Sequence, residues 1–94
     1  MAELTELFVT DATSHLAALR EGIEREDAGS VERSAHTLKG SSGNMGATVM
    51  SRISSELQDA GRSGDLTGAR ELLTRLQAEF GRVREALEAE KTIP

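Results

Sequence analysis

Apolar residues recur three and four positions apart through nearly all of this chain, and its single proline is the last residue, Pro94. Long helices therefore run without a break. Ala, Leu, Glu and Arg are abundant and favour helix, while β-branched runs are missing, which argues against a sheet. Four amphipathic segments follow from the spacing. The first covers about residues 3–25, with Leu4, Leu7, Phe8, Ala12, Leu16, Leu19 and Ile23 on one face. The second covers about 28–45, through Val31, Ala35, Leu38, Ser42 and Met45. The third covers about 47–61, through Met50, Ile53, Leu57 and Ala60. The fourth covers about 66–90, through Leu66, Ala69, Leu73, Leu76, Phe80, Val83 and Leu87. Asp27 and Asp65 stand where N-caps belong, Gly46 stands where a helix stops, Arg62–Asp65 reads as a turn, and residues 91–94 read as a frayed end.

Single apolar stripes joined by short connections bury best against one another. The expected fold is all-α, an antiparallel up-down four-helix bundle forming one domain over 1–94. The fourth stripe also fits a coiled-coil seam, but it is read as the bundle's own core and the chain as a monomer.

Composition excludes several functions. With 16 acidic and 11 basic residues, and no Trp or Tyr, the chain is a poor nucleic-acid binder. It has no cysteine, so neither a disulfide framework nor a thiolate metal site is available. No stretch approaches a membrane span of about 20 apolar residues, and the first residues have no signal-peptide pattern. A cytoplasmic location is expected.

The second segment carries the chemistry. At about 100° per residue, His36 falls well off the buried stripe, and Lys39, Gly40 and Gly43 fall on its side. The imidazole should point outward over a nearly bare helix surface. Glycine inside a helix costs about 1 kcal/mol against alanine, so two on one exposed face suggest that another backbone approaches closely. From Arg33 to Arg52 there are three cations, Arg33, Lys39 and Arg52, and no carboxylate. Such a patch suits a partner whose own site is lined with carboxylates. A neutral imidazole nitrogen is a nucleophile that phosphorus can accept, and Lys39 offers a point charge to phosphoryl oxygens. On residues alone two readings stand: a solvated helix face, or a phosphoryl acceptor at His36.

Other sites are weaker. Gly40–Gly46 is glycine-rich, but no strand precedes it and Lys39 comes before the glycines, unlike a phosphate-cradling loop. Ser41 and Ser42 lack a nearby histidine with an acidic orienter. His15 has no ligand partners at a convincing metal spacing and reads as a half-covered edge residue. The C-terminal carboxylates Glu85, Glu88 and Glu90 read as a solvated face.

The run Ala-His-Thr-Leu-Lys-Gly-Ser-Ser-Gly-Asn-Met-Gly-Ala, residues 35–47, resembles the signature of histidine phosphotransfer (HPt) domains. Leu7-Phe8, Ser63-Gly64-Asp65-Leu66 and Leu72-Leu73 resemble other parts of that family. The resemblance implies a four-helix phosphorelay module without independent catalysis. It implies that His36 takes a phosphoryl group from one receiver-domain aspartate and gives it to another, with Lys39 assisting. Gly40 and Gly43, with Arg33 nearby, would leave room for the receiver to dock. No cofactor is implied in this chain, and magnesium would belong to the receiver. The chain would be a free-standing shuttle or a module excised from a hybrid sensor kinase. Two alternatives remain: a helical interaction module that is never phosphorylated, and the phosphoacceptor domain of a chemotaxis-type kinase.

Overall fold

In a computed structural model, which describes residues 4–91, the chain forms four helices: α1 (Leu4–Glu24), α2 (Ala28–Asn44), α3 (Thr48–Ser63) and α4 (Ala69–Lys91). Glu3, expected to open the first helix, and residues 92–94 of the expected frayed end lie outside the described residues. Each helix packs on its two neighbours around a square, antiparallel in sequence order, as an all-α four-helix bundle.

The stripes predicted from spacing supply the core. Phe8, Ala12, Leu16, Leu19 and Ile23 of α1 meet Val31, Ala35 and Leu38 of α2, Met50, Ile53 and Leu57 of α3, and Ala69, Leu73, Leu76 and Phe80 of α4. Phe8 and Phe80 make an edge contact with ring centroids 6.4 Å apart. Val83 and Leu87 pack against this core, so the α4 stripe is used inside the bundle. Leu4 and Leu7 depart from expectation. They are 71% and 55% exposed, because the first turns of α1 overhang the end of α2. There they line an open apolar groove of about 330 Å³ with Asp11, Ser41, Asn44 and Met45.

Both ends of α2 are well defined. The Asp27 carboxylate accepts from the Ser30 amide at 3.1 Å, as an N-cap should. Gly46 takes φ 76°, and the amides of Gly46 and Ala47 donate to the carbonyls of Gly43 and Ser42, closing a Schellman turn. The same turn closes α1, but there the left-handed residue is Glu26, φ 55°.

Two boundaries differ from the sequence reading. Helix α3 does not stop at Gly61 but continues through Ser63, and Gly64 supplies the left-handed cap at φ 81°. Gly61 answers to packing instead. A Cβ there would lie 2.6 Å from the Glu32 amide nitrogen and 2.8 Å from the Ala28 carbonyl oxygen, so only glycine lets α2 and α3 come so close. Helix α4 starts at Ala69, not Leu66. The Asp65 carboxylate is taken by the Thr67 hydroxyl (2.6 Å) and amide (3.1 Å), which forms a local turn in place of a cap on α4. Those two bonds, the hydroxyl's first, hold the Asp65 carboxyl below its ordinary pKa.

Candidate functional site

His36 is exposed on α2, while its neighbours Ala35 and Leu38 are fully buried. The ring stands outward as the helical spacing predicts, but it does not stand alone. From α3, the side-chain amide of Gln58 reaches Nδ1 of His36, Nε2 to Nδ1, at 2.9 Å. Gln58 is only 7% exposed, so it is a firm anchor beneath a reachable ring. A carboxamide turns either its N–H₂ or its carbonyl to a partner. With Gln58 donating to Nδ1, the ring proton sits on Nε2 and that nitrogen is blunt. With the amide turned, Nδ1–H donates to the carbonyl, and Nε2 carries the lone pair on the open side.

A second rung crosses the two helices one turn away. Arg62 Nε donates to Glu32 Oε2 at 3.2 Å. The pairing follows from antiparallel packing: Glu32 and His36 are four apart on α2, and Gln58 and Arg62 are four apart on α3. These four residues, with Arg33 and Thr37, line an open hollow of about 490 Å³. Gly61 lies between the rungs on α3, and its close approach to Ala28 and Glu32 draws the helices together.

Of the remaining predicted residues, Arg33 lines this hollow, while Lys39, Gly40 and Gly43 follow His36 along α2. Lys39 is exposed one turn beyond His36, and its backbone carbonyl accepts from the Ser51 hydroxyl of α3 at 3.1 Å. Arg33 lies on the rim of the hollow, its guanidinium turned toward Gly29. The close backbone expected at the two exposed glycines is not supplied by this chain. A Cβ on Gly40 would meet open space, and one on Gly43 would make an ordinary 3.7 Å contact with the Ser51 hydroxyl. Among the described residues, nothing inside the bundle requires glycine at either place.

Gln58, Glu32 and Arg62 escaped the sequence reading. A signal was present: Ser54, Gln58 and Gly61 recur at four and three, beside the Met50–Ile53–Leu57 stripe, and make a small and polar row that α2 covers. His15 is 25% exposed at its side chain, with Nε2 3.5 Å from Asp11, an edge residue with one carboxylate neighbour. No group of three or more potential metal ligands occurs among the described residues.

The model of the Hpt domain matches residues 3–86, nearly the full chain. The chain belongs to the Hpt domain family. Among solved structures, this Hpt domain is similar to histidine-containing phosphotransfer protein B (HptB) from Pseudomonas aeruginosa PAO1. The TM-score is 0.91 at 33% identity, over 93% of this chain and 76% of that one. A comparison with curated proteins gives no match. Hpt domains are phosphocarriers that meet receiver domains in phosphorelays, so membership supports a histidine phosphotransfer role and fits the lack of a catalytic constellation in the sequence. No helix among the described residues is long and apolar enough to cross a membrane.

Proposed function

We propose that His36 is the residue this Hpt domain phosphorylates, and that it passes the group between aspartates of receiver domains. The observation that carries the reading is the Gln58–His36 contact: a buried amide holds Nδ1 of an exposed ring, and with its carbonyl turned to Nδ1–H the Nε2 lone pair faces the open side. In the forward step the Nε2 lone pair attacks phosphorus, an N–P bond forms, and the P–O bond to the receiver aspartate breaks, its electrons leaving with the carboxylate. Nδ1 keeps its proton, donated to the Gln58 carbonyl, so the loaded ring is cationic and a good leaving group. The same steps in reverse unload it. Lys39 offers charge to the phosphoryl oxygens, and magnesium is brought by the receiver.

Docking is assigned to the face that holds His36, Lys39, Gly40 and Gly43, bordered by Arg33 and by the exposed Leu4 and Leu7 of α1. The bare glycines admit a receiver backbone close to the ring, and Leu4 and Leu7 add apolar area farther along α2, beside Ser41, Asn44 and Met45. The domain is taken as one unit, monomeric and cytoplasmic, either alone or joined to a sensor kinase.

The test is incubation with a receiver domain charged by acetyl phosphate in magnesium, followed by mass spectrometry under alkaline conditions. Label on the wild type and none on His36→Gln supports the reading. Equal signal transfer by His36→Gln favours a binding-only module, and labelling only by an ATP-loaded kinase domain favours a chemotaxis-type acceptor.

A further inference from the structure

The second rung of the hollow, Arg62 on Glu32, has no part in the reading of His36, on which this inference rests. The pair sits one turn from the ring and shares its hollow. Both side chains are solvent-accessible, 62% for Arg62 and 37% for Glu32, and such a surface pair is weak and readily exchanged. A phosphoryl group on His36 changes the competition. It brings up to two negative charges and three strong acceptor oxygens within about one helical turn of Glu32, whose carboxylate it repels. A guanidinium forks onto phosphoryl oxygens with shorter, stronger bonds than it makes end-on to a single carboxylate oxygen.

We propose that Arg62 changes partner on phosphorylation, leaving Glu32 for the phosphoryl oxygens on His36. The loaded group then lies between two cations, Arg62 from α3 and Lys39 from α2. Glu32 holds Arg62 in the hollow while the ring is empty and takes it back when the group leaves. This return suits a carrier. Because the resting pair is weak, the exchange costs little in either direction. Arg62 is a positioning and charge-stabilising residue in this account, and Glu32 is its resting partner.

Uniformly ¹⁵N-labelled protein charged with phosphoramidate tests the exchange without a receiver. The Arg62 Nε–H resonance, assigned by its loss in Arg62→Lys, should move on charging. In Glu32→Gln it should start at a different position from wild type and reach the same position once charged. A resonance that stays in place while ³¹P spectra show an N–P bond on His36 overturns the exchange and leaves the function standing. The same holds if the charged wild type and the charged Glu32→Gln keep different positions. A wild type that takes up no label on His36 overturns both the function and the exchange.

Discussion

The Gln58 side-chain amide lies 2.9 Å from Nδ1 of His36, and Gln58 is buried while the ring is exposed. The contact fixes ring orientation, and with the carboxamide oxygen turned to Nδ1–H it leaves the lone pair on Nε2. Gln58→Leu keeps bulk at a buried position but cannot accept from Nδ1–H. We expect it to slow phosphoryl uptake about 10- to 100-fold, the worth of a hydrogen bond to a group that becomes charged. Gln58→Glu, which still accepts, should retain most of the rate. Stopped-flow transfer from a charged receiver domain measures both, with circular dichroism as the check on folding.

Gly61 sets the distance across which that contact forms. Gly61→Ala places a methyl 2.6 Å from the backbone nitrogen of Glu32, and backbone cannot turn aside as a side chain does. The expected cost is about 1–3 kcal/mol, seen as a lower urea midpoint. Because α2 must move away from α3, uptake at His36 should also fall, even though Gly61 touches neither ring nor phosphoryl group.

Gly40 and Gly43 should behave in the opposite way. Each has room for a methyl group, so Gly40→Ala and Gly43→Ala should each raise stability by about 1 kcal/mol through helix propensity. A bulky Gly43→Trp should leave the fold intact and weaken receiver binding, read by titration calorimetry. Unchanged affinity would move the docking surface elsewhere.

Much of this was legible beforehand, for a physical reason. A bundle stripe is written locally: Val31, Ala35 and Leu38 are buried because of their own spacing, and His36 is exposed because it falls off that spacing. Asp27 and Gly46 likewise act on their own helix ends. What escaped depends on how two helices lie together. Gln58 and Arg62 matter only because α3 runs antiparallel to α2 at the depth that Gly61 permits. Taken alone, Gly61 looks like a helix stop. Leu4 and Leu7 keep the apolar period of α1, but periodicity does not report where a neighbouring helix ends. Asp65 looks like an N-cap until Thr67 claims its carboxylate.

That last turn is sensitive to pH. The Asp65 carboxyl is held below its ordinary pKa, chiefly by the Thr67 hydroxyl and then by the Thr67 amide. A depressed carboxyl contributes stability above its unfolded pKa, and the contribution is lost as pH falls through the lower folded value. Carbon-detected NMR titration should show Asp65 titrating below the ordinary carboxylate range. In Thr67→Val, which removes the hydroxyl, the midpoint should move back upward.

With Nδ1 anchored by Gln58, Nε2 of His36 is the atom expected to carry the phosphoryl group. Heteronuclear ³¹P–¹⁵N NMR of the protein charged with phosphoramidate, with ¹⁵N in its histidines, reads the bonded atom directly. We expect one N–P coupling, to Nε2 of His36, lost in His36→Gln. Coupling to Nδ1, or label carried by His15 in place of His36, would contradict it.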